Sequence, residues 1–222
     1  MEPAIEIQTA PGGTELYIFF GGIAAGIGMP PFEFQRASGI LNQHRIFVRD
    51  LRQCWYQAGI PGGGRDIREV ARHLEGLIEK TGASRVRFVG NSMGGFAALM
   101  FSALIGTGGA IAFAPQTFIS PFLRFRHGDW RWRRKILAAW IEGIRRERIW
   151  DLRGLLDASP PPEGCEVFVS SACPLDGVHA SRIAGCPGVR VRTFPEGGHG
   201  VVAWLRDNGR LPAIMAGNLE VP

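Results

Sequence analysis

A serine hydroxyl becomes a useful nucleophile when an imidazole takes its proton and a carboxylate holds that imidazole in place. This 222-residue chain offers one candidate for each role, Ser92, His199 and Asp176. Ser92 sits in Gly90-Asn91-Ser92-Met93-Gly94. A serine flanked by glycines two residues away on each side suits an abrupt turn from strand to helix. The strained backbone at the corner exposes the hydroxyl, and the missing side chains leave room for the turn. With 31 glycines in the chain the five-residue pattern says little alone. Its flanks give it weight: Arg85–Val89 reads as a strand, and the small-residue run from Gly95 to Ile105 as a closely packed helix. An ordinary Gly-rich turn is the plain alternative.

His199 follows the last apolar strand, Val189–Phe194, in Gly197-Gly198-His199-Gly200, where glycines let a loop carry an imidazole over the serine. Asp176 follows the strand before that one, Val167–Ser170, and no other carboxylate lies between Ser170 and Val191. A helix-capping aspartate and a surface histidine are the competing readings. The backbone N–H of Met93, next to the serine at a helix start, is aimed where a developing oxyanion would sit.

The elements that must position these groups alternate. Strands are expected at Ile5–Thr9, Leu16–Phe20, Arg45–Val48, Arg85–Val89, Ala110–Ala114, Val167–Ser170 and Val189–Phe194. Helices are expected at Pro31–Leu41, at Asp66–Lys80 from its apolar spacing, after Ser92, and from near Gly200. Such alternation implies an α/β fold with a mostly parallel central sheet and helices on both faces. One connection breaks the rhythm. About fifty residues separate Ala114 from Val167, far more than a bare crossover needs. Residues 1–116 and 163–222 are therefore expected to form the core domain, with 117–162 a helical cap insertion. Between Ser120 and Gly154 ten Arg or Lys face four Asp or Glu, whereas the rest of the chain carries 15 against 16, so this segment holds the basic character. It mixes Phe118, Phe122, Phe125, Trp130, Trp132 and Trp140 with Arg124, Arg126, Arg131, Arg133 and Arg134. That composition suits an anionic or sugar-like substrate; a solvated helix resting on an aromatic underside is the plain alternative.

These motifs make the chain from about Leu16 to Trp204 resemble the α/β-hydrolase family. The resemblance is carried by Phe20-Gly21-Gly22-Ile23, Arg49-Asp50 followed by Trp55-Tyr56, Gly90-Asn91-Ser92-Met93-Gly94-Gly95, Ala114-Pro115-Gln116, and Asp176 followed by His179-Ala180. In detail it is similar to a compact bacterial subgroup often associated with surface-polysaccharide gene clusters. It implies a Ser92–Asp176–His199 triad and an ester hydrolase working through an acyl-enzyme. An acyltransferase acting on a glycan, or an inactive scaffold on the same fold, are the alternatives. It also implies that the turn after Leu16–Phe20 supplies the second oxyanion donor. Alignment with the usual His-Gly-X turn points to Ile23, with Gly22 the alternative; Gly21 stands where a histidine is usual.

Gly22, Trp55, Tyr56 and His179 are the candidates for substrate contact. Core packing competes for the two aromatics, and an exposed helix face for His179. The expected partner is a small-molecule or glycan ester. No cofactor and no metal set is indicated, since the histidines are scattered. Gly26-Ile27-Gly28 runs into Met29-Pro30-Pro31 and lacks the third glycine of a dinucleotide fingerprint, and nucleic-acid binding through the basic segment is a weaker reading. No export signal and no membrane-length apolar run is visible. A cytoplasmic location follows as the default, with Cys54, Cys165, Cys173 and Cys186 as free thiols. A disulfide such as Cys173–Cys186 is the competing reading, and oligomeric state is undetermined.

Overall fold

A computed structural model describes residues 3–23, 34–141 and 148–217. Seven strands form one sheet: β1 (Ile5–Gln8), β2 (Glu15–Phe20), β3 (His44–Val48), β4 (Arg85–Asn91), β5 (Gly109–Phe113), β6 (Cys165–Ser170) and β7 (Val189–Phe194). Their order is β1-β3-β2-β4-β5-β6-β7, with only β1 antiparallel to its neighbour. All seven strands fall where the sequence places them, within two residues at either end. The chain steps outward from β2 to β3, then back across β2 to β4. The crevice at the carboxyl ends of β2 and β4 is therefore the topological switch point, where open α/β sheets bind ligands.

Alternation along β2 builds two cores. Leu16, Ile18 and Phe20 face helices α1 (Ile67–Thr81), α2 (Met93–Ile105), α5 (Leu152–Ala158) and α6 (Pro174–Ile183). Tyr17 and Phe19 face the opposite side with α7 (Val201–Asp207) and α8 (Leu211–Met215). Helix α1 is bounded as its sequence demands: the Asp66 side chain accepts the N–H groups of Arg68 and Glu69, and Gly82 ends it at φ 64°. Helix α2 is apolar all round and almost wholly buried, as expected of a helix at the centre of the layer. The helix expected at Pro31–Leu41 is only a short 3-10 turn at Ala37–Ile40 within the described residues. Residues 31–33 lie outside them, as does the Gly26-Ile27-Gly28 run.

The long β5–β6 connection carries α3 (Pro121–His127), α4 (Arg133–Ile141) and α5. Its two ends are stapled together. Ile119 and Ser120 donate to the Trp150 carbonyl, and Leu152 donates to that of Thr117. Beyond the staple, α5 buries Leu152 and Leu156 against α2 and so acts as the crossover helix. The excursion proper is Ser120–Trp150. Among the described residues no helix is long and apolar enough to cross a membrane, and all four cysteines are free thiols.

A buried carboxylate organises the loop after β3. Asp50 accepts the N–H groups of Arg52, Cys54 and Tyr56 at 3.0, 2.6 and 2.8 Å. These bonds offset the cost of left-handed backbone at Gln53, Trp55 and Tyr56, with φ of 53°, 56° and 61°. Burial pushes the Asp50 carboxyl upward while the three donors pull against it. The loop in turn braces the end of β2, because the Tyr56 hydroxyl lies 3.0 Å from the Gly21 carbonyl and 3.1 Å from that of Val48. Asp50→Ala leaves three inward N–H groups without their acceptor, so the urea midpoint should fall by the equivalent of about 3 kcal/mol.

Candidate active site

Ser92 occupies the corner between β4 and α2 with φ 54° and ψ −114°, backbone that a non-glycine residue adopts only when its surroundings enforce it. The enforcing contacts explain both glycines of the motif. A side chain at Gly90 would lie 2.1 Å from the Gly94 carbonyl oxygen, and one at Gly94 would lie 2.1 Å from that of Phe20. A side chain at Gly95 would meet Pro115 at 3.0 Å, which ties the turn after β5 to the same corner. Met93 is the first residue of α2, so its N–H is one of the donors that a helix start leaves without an intrahelical acceptor.

His199 reaches Ser92 from the other side. It lies in a 3-10 turn, Gly198–Gly200, entered through Gly197 at φ 96° and Gly198 at φ 54°. A side chain at Gly197 would come within 2.9 Å of Trp204. His199 Nε2 is 3.0 Å from Ser92 Oγ, and Nδ1 is 2.9 and 3.0 Å from the two Asp176 oxygens. With the carboxylate accepting at Nδ1, that nitrogen carries the proton and Nε2 is free to accept from the serine hydroxyl. Asp176 is fully buried in the first turn of α6, behind Pro174 at the helix start, where the helix dipole favours an anion. Ser92, Asp176 and His199 are thus brought into one hydrogen-bonded chain.

No protein-family model matches this sequence, and no curated protein matches it. Solved structures match the fold. The capsule O-acetyltransferase of Neisseria meningitidis serogroup A gives a TM-score of 0.63 over 95% of this chain and 91% of that one, at 11% identity. MenH from S. aureus gives 0.62 over 99% and 98%, at 14% identity. MGS-M2, an alpha/beta hydrolase enzyme from a Medee basin deep-sea metagenome library, gives 0.61 over 98% and 95%, at 14%. The chain has the α/β-hydrolase fold.

Within that hydrolase fold the excursion contributes a side chain that sequence reasoning did not single out. Arg131 Nη1 lies 2.7 Å from Asp176 Oδ1. Arg131 is held in turn by Asp129, through Nε at 3.0 Å and Nη2 at 3.1 Å. Asp129 also accepts from His179 Nε2 at 3.0 Å, and Arg124 stands 3.5 Å away. The His179 tautomer follows from its other nitrogen. The Thr117 N–H donates to Nδ1 at 3.1 Å, so Nε2 carries the proton and the ring is neutral. Burial pushes His179 below its ordinary value even with Asp129 beside it. Burial also pushes the Asp129 and Asp176 carboxyls up, but their hydrogen bonds and neighbouring charges outweigh it and both end below the usual carboxylate range. For Asp129 the opposing partners are His179 and the two arginines; for Asp176 they are His199 and Arg131. Cys173, just before α6, places its thiol within 4.8 Å of the Asp176 carboxylate and His199 ring. Burial pushes that thiol up, and the guanidinium on Asp176 makes the trio a poor cation cage.

Three expected substrate contacts are corrected. Trp55 and Tyr56 are fully buried. The Trp55 indole donates to Gln116 Oε1 at 3.1 Å, and Tyr56 braces β2, so both belong to the core. His179 is also fully buried, with both ring nitrogens engaged. The signal that finds it is helical spacing: Asp176, His179, Ala180 and Ile183 recur at i, i+3, i+4 and i+7, and all four are buried. Gly22 and Ile23 remain half-buried at the end of β2, beside the start of α2. The Gly21 N–H is taken by the Val48 carbonyl at 2.9 Å.

Depressed carboxyls make stability depend on pH with a definite sign. What Asp129 and Asp176 contribute is complete above the ordinary carboxylate range, near pH 4, and is lost as the pH falls through their lower folded values. Asp129→Asn should cost about 3 kcal/mol at pH 7, because it strips a buried counter-charge from Arg131. Urea denaturation should show that deficit narrowing below pH 4.

Proposed function

We propose that the protein is a serine hydrolase that cleaves a carboxylic ester through an acyl-enzyme. The observation that carries this reading is the unbroken chain Asp176–His199–Ser92, with 2.9–3.0 Å at each link, on a strained serine at the switch point of the sheet. In the reaction Ser92 Oγ attacks the acyl carbonyl as its proton passes to His199 Nε2. Asp176 keeps the imidazolium oriented and stabilised. The oxyanion lies at the Met93 N–H and a second donor from Gly22 or Ile23, near the positive end of α2. Collapse breaks the ester bond, and the leaving alcohol takes the proton from Nε2. Water then gives a proton to His199 Nε2 and its hydroxide to the acyl carbon, and as the bond between the acyl group and Ser92 Oγ breaks, Nε2 returns that proton to Oγ, which frees Ser92 and releases the acid. The described part of the excursion borders this site, since Arg131 reaches Asp176 from it.

A second reading keeps the acyl-enzyme and replaces water by a sugar hydroxyl, giving acyl transfer. The excursion favours it. Phe125 and Trp130 are both exposed and pack edge to face with ring centres 6.1 Å apart, close in sequence to exposed Arg126. Exposed aromatics with a guanidinium suit stacking on and hydrogen bonding to a glycan. The capsule O-acetyltransferase of similar fold has been solved with CoA, a thioester carrier that could load such a serine.

Ser92→Ala should abolish hydrolysis of short-chain p-nitrophenyl esters and labelling by a fluorophosphonate, with the thermal transition retained. Turnover at the wild-type rate in that variant would remove Ser92 from the mechanism. Adding oligosaccharide acceptors and measuring how acyl product divides between acid and glycan ester distinguishes the two readings.

A further inference from the structure

We infer that Arg131 is a positioning residue for the triad, and that through it the seating of the Ser120–Trp150 excursion sets the alignment and charge balance of Asp176. This rests on the serine-hydrolase reading above.

A triad aspartate needs a fixed orientation and a defined charge. Here neither is left to α6 alone. Asp176 Oδ1 is shared between His199 Nδ1 at 3.0 Å and Arg131 Nη1 at 2.7 Å. The carboxylate therefore cannot rotate about its axis without losing one partner. Arg131 is clamped by three bonds to Asp129: its own N–H, Nε and Nη2 all lie 3.0 or 3.1 Å from that carboxylate. Asp129 is anchored to α6 by His179, one turn along the helix from Asp176. The guanidinium thus bridges two buried carboxylates, and the second is fastened to the helix that carries the first. Arg124 donates to the Arg131 carbonyl from α3, and Gly128 at φ 64° and Trp132 at φ 57° fold the intervening loop tightly enough to aim Arg131 inward.

The charges close on themselves. Arg131 and Arg124 balance Asp129 and Asp176, while neutral His179 and the protonated Cys173 thiol add none. Any positive charge that His199 gains during catalysis is felt against that balance. Arg131 withdraws part of the stabilisation Asp176 would give to imidazolium, and Asp129 restrains how much Arg131 withdraws. Opposite substitutions should therefore act in opposite directions. Arg131→Met exposes His199 to an undiluted carboxylate and should move the acid limb of the activity profile to higher pH, by about 0.5–1 unit. Asp129→Asn leaves the Arg131 charge undiluted at Asp176 and should move that limb to lower pH. A purely structural contact would move neither.

The experiment measures the second-order rate of fluorophosphonate labelling of Ser92, and kcat and KM for a p-nitrophenyl ester, from pH 5 to 9. Wild type, Arg131→Met, Arg131→Lys and Asp129→Asn are compared at a temperature where each retains its thermal transition. The expected result for Arg131→Met is a loss of roughly 10–100-fold in kcat and in labelling rate with KM within about threefold, and the upward limb shift. Lysine should recover the limb position but not the full kcat, because a point charge cannot bridge two carboxylates as a planar fork does. If Arg131→Met does not fold, the downward shift in Asp129→Asn decides the matter. A wild-type chain that labels, with variants that label equally and share its acid limb, overturns the inference alone. A wild-type chain that does not label overturns the hydrolase reading and this inference with it.

Discussion

The backbone of α2 lies against the backbone of β2, and most of the site depends on that contact. It exists because Gly94 has no side chain to meet the Phe20 carbonyl, and because Gly90 lets the first turn of the helix fold back over its own strand. A side chain at either position would lie 2.1 Å from a backbone carbonyl oxygen, well inside the 3.0 Å below which such contacts are essentially never seen, so the backbones would have to part. The contact sets the turn after β2 beside the free N–H at the start of α2 and forces Ser92 into its corner. It also lets a helix with Ser102 as its one polar side chain sink into the middle of the layer. The Asp50 loop serves the same end from the far side, since the Tyr56 hydroxyl holds the Gly21 and Val48 carbonyls at the mouth of the crevice.

Behind Ser92, polarity increases with depth, contrary to the usual gradient. Ser92 and half-exposed His199 stand in front of an ion network in which Asp176 and Asp129 have almost no exposed surface. Buried charges are tolerated only when paired and hydrogen-bonded. Here the pairing is provided across the boundary between core and excursion, so neither side is electrostatically complete alone. The neutral, single-tautomer His179 lets a fully buried imidazole join this network without adding to its charge.

How much of this can be seen in the sequence depends on whether the signal is local. The strands declare themselves because each is a short apolar run bounded by turn residues, and α1 because its apolar spacing sits between Asp66 and Gly82. Ser92 is legible from five residues and their flanks. His199 and Asp176 are legible from chain order, because each follows a strand by a short loop. What escapes is non-local. Arg131 meets Asp176 across 45 residues of sequence, and nothing in a run of mixed arginines and aromatics distinguishes the one that turns inward. Trp55 and Tyr56 look like a pocket wall because they follow a strand on the crevice side. Only the left-handed backbone organised by Asp50 turns them into the core. His179 was within reach of helical periodicity, but a polar residue type on a buried face invites the opposite reading.

The staple between Thr117–Ser120 and Trp150–Leu152 has a consequence for how such a chain diversifies. The two strands of the excursion's neck leave and re-enter the domain side by side, so the backbone between them closes a loop whose ends are already fixed. The entropic cost of closing a loop grows only with the logarithm of its length, about 0.6 kcal/mol for each doubling. Material can therefore be added or exchanged above the neck at little expense to the sheet beneath it. The arginine that reaches down from there makes the exchange consequential, because a replacement that fits the neck but lacks that reach would inherit the scaffold without the ion pair to Asp176.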